Sequence, residues 1–421
     1  MQRRFPHRAW RRTILLLAAP CLGLALTASD GQPASDDPRS AMHGISAVRG
    51  EHGAMLVFFS SAGYPPRVPA AGDDWPHDVY VSRWDPATGR LDPPRAFLRR
   101  PEAQEPVAAA QESGGRILLT MEDGWNTPNT VTQRYGIYQR DLAPVRAYPS
   151  EVQAGGHSGD AAAVGRRFAV AYSEGWIHGG GVADLGSGNG IYARVYDAGG
   201  GLLHHIDVAP RQRAWWPRLA GSPGGALLIW QAFAPDRQGA RLVAATLDLD
   251  AGRAGPPVVL LERVRFYTYS VAWLPAVGHY LVLGTEVDAK GEERGQGMLV
   301  DAGGRVVARL MCMPATVREA GIAVARPSSG ARDSPIVATA YAPAGDGRLL
   351  QLRATPANLA LTGVLNDAHG NPVAWQPTGS VALWTDSGEL QWLSLSRKGV
   401  VQSRFRPSDA VAPDNRDLCA G

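Results

Sequence analysis

Gly190-Ile191-Tyr192-Ala193-Arg194-Val195-Tyr196-Asp197-Ala198-Gly199-Gly200 is a strand running into a turn. Residues 191–196 are rich in β-branched and aromatic side chains. The Asp and Gly residues that follow supply the side-chain hydrogen bonding and positive φ of a tight hairpin. The same turn recurs at Asp85-Pro86-Ala87-Thr88-Gly89, Asp250-Ala251-Gly252 and Asp301-Ala302-Gly303-Gly304, with weaker versions at Asp141-Leu142-Ala143 and Arg397-Lys398-Gly399. Apolar runs recur with it, starting at Met55, Arg116, Phe168, Ala226, His279, Pro335 and Ser380, at spacings of 61, 52, 58, 53, 56 and 45 residues. Each unit reads strand, short turn, strand, variable loop, strand, tight turn, strand. One such sheet cannot bury both faces alone, so a repeat of this length holding four short strands implies a β-propeller. The expectation is an all-β, seven-bladed β-propeller of four-stranded blades over residues 42–408, with six or eight blades also compatible. A β-sandwich would not explain so long a regular repeat.

The stretch from Gly190 to Gly200 resembles the strand-turn of secreted bacterial β-propeller repeat proteins. Leu227-Leu228-Ile229-Trp230, after Pro223-Gly224-Gly225, is similar to their second strand. The resemblance covers most of residues 42–408 as a pattern and implies a fold, not an activity.

The chain has 421 residues, 49 Gly and 32 Pro, which leaves little room for long helices. Arg3, Arg4, Arg8, Arg11 and Arg12 precede a short apolar run interrupted by Pro20, with small residues at Ala25 and Ala28. This describes a secretory signal peptide over residues 1–28, not a membrane span, and a periplasmic or secreted protein. Arg11-Arg12-Thr13-Ile14-Leu15 also resembles a weak twin-arginine signal. Lipidation at Cys21 is disfavoured because Pro20 stands where a lipobox wants a small residue. Residues 29–41 are polar and turn-rich and are expected to be a disordered lead-in, and residues 409–421 a C-terminal tail. Without the signal, 37 basic residues face 39 acidic ones, which gives no electrostatic support for nucleic-acid binding. Only Lys290 and Lys398 are lysines, so no P-loop is present. Cys312 and Cys419 are expected to pair in an oxidising compartment, the alternative being a soft copper site at Met311-Cys312-Met313. A monomer without a cofactor is expected.

In a propeller the start of each inner strand shares a face with the loop joining its second and third strands. Those loops are long at residues 60–77, 123–134 and 174–189, whereas the opposite hairpins are short. Binding tends to reside on elaborated loops, so this is the candidate functional face. The strand starts bring Glu105, Asp160 and Glu319 toward the channel mouth as candidate catalytic carboxylates for glycoside hydrolysis or polysaccharide lysis. A sialidase-type Asp box is missing, since Trp384 stands where Ser is expected ahead of Asp386-Ser387-Gly388. Trp125, Trp176, His157, Trp215, Trp216 and Tyr267 are candidate ligand-binding residues, the loop tryptophans as stacking platforms. His43, His157 and His369 are weak metal candidates, unsupported by any ligand spacing. The preferred reading is an exported propeller that binds an extracellular glycan, peptide or protein partner.

Overall fold

A computed structural model of the chain describes residues 38–68, 77–124, 131–175, 189–233, 239–325, 336–414 and 417–418. Among them the regular elements are β-strands, apart from the 3-10 turns Pro38–Ser40, Glu51–Gly53 and Pro407–Asp409. No helix among the described residues is long and apolar enough to cross a membrane. The expected signal, residues 29–37 of the lead-in, Trp125, Trp176 and Cys419 lie outside the described residues.

The inner strands are Met42–Arg49, Glu105–Gln111, Gly156–Val164, Ala214–Ser222, Ser270–Leu274, Ala323–Val324 and Ser380–Trp384. They surround one axial cavity, lined among others by Ser46, Ala108, Asp160, Leu219, Ser270 and Ser380. Each inner strand pairs antiparallel with the strand that follows it, as Met42–Arg49 does with Met55–Ser61 and Ala214–Ser222 with Gly225–Phe233. The second strands are covered by neighbouring sheets on both faces, so they read as continuous apolar runs; Ile117–Asp123 is buried throughout. Outer strands alternate instead, as Val306–Met313 does, because one face meets solvent.

The core lies between sheets. Ala110 and Leu118 of one sheet pack with Phe168 and Val170 of the next. The ring closes the same way, with Met42, Phe59 and Trp84 of the first sheet against Leu393 and Leu395 of the last. Trp84 Nε1 donates to Gln391 Oε1 at 3.0 Å across that seam, and Gly44 N donates to Thr378 O at 2.9 Å. Four-stranded blades packed face to face around an axis make this a β-propeller.

The described residues form five blades of four or more strands, not the expected seven. The described strands make six sheets, of which five contain four or more strands and the last, Ser380 to Phe405, has three. The shortfall has two physical causes. One sheet has nine strands because two antiparallel runs, either side of the strand Val258–Val264, are joined through the single pair Val264↔Glu286. The last sheet stops at three because the chain leaves Gly399–Phe405 through a Pro407–Asp409 turn. Val411 then bridges Val364 of the preceding sheet.

Candidate ligand site at the channel mouth

Backbone geometry aims the mouth residues. The pairing register slips between His43 and Ile45, Glu105 and Ala108, His157 and Asp160, and Trp215 and Arg218. A bulge of this kind re-aims side chains and frees a backbone amide from the ladder. Gly44, Ser158 and Trp216 take left-handed φ values of 75°, 55° and 56° within these bulges. Tyr267 and Glu319 do the same ahead of the next inner strands. The freed amides find side chains. Ser158 N donates to the Glu122 carboxyl, Gly159 N to Gln133 Oε1 at 3.1 Å, and Tyr267 N to Gln231 Oε1 at 3.2 Å. Ser60, Glu122, Ser173 and Gln231 stand opposite His43, Glu105, His157 and Trp215 in register, so a polar residue closes each of these second strands beneath the mouth.

The charges form one buried network. His43 Nδ1 is 3.4 Å from Glu105 Oε2, and His43 Nε2 is 3.5 Å from Glu319 Oε2. His77 Nε2 is 3.4 Å from the same Glu105 oxygen and also contacts Arg39 O at 3.1 Å. His43, Glu105 and Glu319 are only 8%, 5% and 6% exposed. Burial works against a charge on His43, but the Glu105 and Glu319 carboxylates outweigh it and raise its pKa to about 9. Burial opposes ionisation of Glu319 too, yet His43 and the nearby arginines hold it below the usual carboxylate range. Burial pushes Glu122 up to about 8, only partly offset by the Ser158 N–H, so it carries a proton at neutral pH. His77 is lowered, chiefly by burial.

Aromatic rings fill the space between these charges. Trp216 stacks beside His43, with centroids 6.2 Å apart, and meets Tyr267 edge-on at 5.1 Å. Arg318 lies 4.3 Å over the Tyr267 ring, and Arg218 lies 5.6 Å from the Trp216 ring. Tyr269 OH donates to Trp216 O at 2.6 Å, which pins the Trp216 backbone. His157 packs 4.1 Å from Trp215; burial lowers its pKa to about 3 and keeps it neutral.

The structure thus gathers His43, Glu105, Glu319, Trp216 and Tyr267 at one place, with Trp215 and His157 beside them. Trp215, Trp216 and Tyr267 are buried and close the mouth instead of standing open to a ligand. Asp160 acts differently from the other two acids: it accepts from Leu219 N at 2.8 Å and Ala161 N at 2.9 Å, stapling neighbouring inner strands. His369 is not at the mouth. It lies exposed in a turn whose Asp367 carboxylate caps the amides of His369 and Asn371, and the last inner strand begins only at Ser380. Among the described residues no three His, Cys, Asp or Glu side chains are grouped to hold a metal ion. Sequence reasoning missed His77 and Glu122. The available signal for Glu122 was its place at the end of an apolar second strand, shared with Ser60, Ser173 and Gln231.

No protein-family model matches the chain, and no curated protein matches it. Among solved structures it is similar to a chain of the mitotic checkpoint complex, at 12% identity and a TM-score of 0.50 over 94% of this chain and 98% of that one. It is also similar to hydrazine synthase of Kuenenia stuttgartiensis, at 13% identity and a TM-score of 0.51 over 89% of this chain and 97% of that one. An α-L-arabinofuranosidase from Fusarium graminearum shares 9% identity over 92% of this chain and 96% of that one, at a TM-score of 0.45. Likeness at these identities shows the propeller fold alone.

Proposed function

We propose that the protein is an exported propeller that binds a glycan, peptide or protein partner through the face carrying the channel mouth and the long loops. The observation that carries this reading is the state of the carboxylates. Glu105 and Glu319 are buried and ion-paired to His43, with His77 at the same Glu105 oxygen. A glycosidase needs two carboxyl groups flanking an open space wide enough for the sugar. Here an imidazole occupies the space between them, and the aromatic plug closes it. Trp125 and Trp176 belong to this proposal as stacking residues of the loop face.

A hydrolase or lyase is the second reading, favoured by one observation. Glu122 holds a proton at neutral pH while Glu105, in its field, pairs with His43, and such a split suits an acid and a base. The two readings separate in one experiment, a glycan array run beside an activity panel on the mature protein. Binding without turnover, weakened by about 1–3 kcal/mol on Trp125→Ala or Trp176→Ala with the melting temperature kept, supports the binding propeller. Turnover abolished by Glu105→Gln or Glu122→Gln while binding persists establishes the enzyme. Loop substitutions that unfold the protein and leave binding intact place the ligand elsewhere.

A further inference from the structure

Arg218 acts on the mouth network through its field alone, helping to hold Glu319 low and countering the burial of Asp160. It lies on the Ala214–Ser222 inner strand, two residues beyond the plug residue Trp216, and lines an axial cavity of about 170 Å³ with Ser46, Asp160, Ser270, Glu319 and Ser380. Its guanidinium rests against the Trp216 ring but makes no hydrogen bond or ion pair among the described residues. The carboxyl groups that line the same cavity feel the charge of Arg218 but form no hydrogen bond or ion pair with it. Asp160 takes two backbone amides, and Glu319 pairs with His43 and, at 3.8 Å, with Arg318. The indole N–H of Trp216, a residue 8% exposed, also has no acceptor.

A guanidinium is a planar fork of five donors with no acceptor, and its best partner is an oxyanion presenting two oxygens. In this cavity that fork lies against its aromatic neighbour, and its donors meet no protein acceptor among the described residues. At roughly 30 Å³ per water, the space corresponds to about five or six waters, enough for one small oxyanion group. We propose that the axial cavity is an anion site in which Arg218 binds a single small oxyanion, a carboxylate or phosphate, free or borne by a larger ligand. The site stands apart from the loop-face reading above, because it requires neither the rim tryptophans nor turnover.

The test is titration calorimetry of the mature protein at constant ionic strength with sodium acetate, sodium phosphate, sodium glucuronate and glucose. Tryptophan fluorescence serves as a second readout, since Trp216 adjoins the guanidinium. Saturable binding of at least one oxyanion, with none for glucose, is expected. Arg218→Gln should weaken it by about tenfold or more, the range for losing charge-assisted hydrogen bonds. A response to acetate or phosphate identifies a free ion as sufficient, and a response to glucuronate alone identifies a ligand-borne carboxylate. If Arg218→Gln fails to fold, Ser380→Asp carries the test, because it sets a like charge against the anion without touching Arg218. No saturable binding by any oxyanion, equal binding by glucose, or binding unchanged in a folded Arg218→Gln or Ser380→Asp protein overturns the proposal.

Discussion

At His43, desolvation and two carboxylates pull in opposite directions, and the carboxylates prevail. The consequence is a pH dependence of known sign. Its folded pKa of about 9 lies above the ordinary imidazole value of 6.5, so between those values the native state binds a proton that the unfolded chain releases. The stabilisation is therefore complete below pH 6.5 and is lost as the pH rises through 9. Glu122, raised from 4.5 to about 8, adds a loss of the same sign over the lower part of that range. Melting temperature should accordingly fall from pH 6.5 to 9, by an amount worth a few kcal/mol. In His43→Gln the slope should be visibly shallower. A flat profile, or the same slope in His43→Gln, would show that the imidazole is not charged between Glu105 and Glu319.

The inner strands show how local geometry makes the mouth. Gly44 has φ 75°, and a Cβ there would fall 2.6 Å from Pro106 Cβ of the next inner strand. Gly53, in the short hairpin on the other face, has φ 78° but nothing within 4 Å. The two positions separate backbone strain from close approach. Gly53→Ala should cost about 1 kcal/mol, the left-handed penalty alone, and Gly44→Ala about 2–4 kcal/mol, because a packed strand must shift as well. Urea denaturation of the pair checks this, and equal costs would mean that the inner strands yield freely. Much of this arrangement is legible in the sequence. Turn chemistry locates the hairpins, and the repeat register brings Glu105, Trp216, Tyr267 and Glu319 to one mouth. His369 misleads because residues 366–379 form a long connection with its own Asp-capped turn ahead of the strand at Ser380. Glu122 escapes notice because a carboxylate ending an apolar run reads as solvent-facing, while its real environment is built by a bulge from the adjacent sheet. The merging of two units into a nine-stranded sheet rests on one backbone pair, which no side-chain pattern encodes.

At the scale of the molecule, the ring closes among the described residues without a terminal strand that completes the last sheet. Packing at Trp84, Leu393 and Leu395 closes it, and it frees the C-terminal chain to run back across the preceding sheet. There Val411 bridges Val364, and Asp417 accepts from the Arg348 guanidinium through both carboxylate oxygens. The strand carrying Val364, Asn358–Leu365, packs beside Val306–Met313, the strand that carries Cys312. The described part of the tail thus crosses the sheet whose last strand packs beside the strand of Cys312. Pairing of Cys312 with Cys419 is a proposal that rests on this path and on the proposed export. The bridge would close a loop of 107 residues, for which chain entropy gives about 4–5 kcal/mol before any native-state strain is subtracted. Thiol titration of the denatured, unreduced mature protein should find no reactive group. Reduction should lower the unfolding midpoint without changing the far-UV spectrum, because Asp417 and Val411 still hold the tail. Two titratable thiols would refute the bridge. Unpaired, Cys312 between Met311 and Met313 would then be the thiol to assay for copper, since soft sulfur ligands of that kind select it.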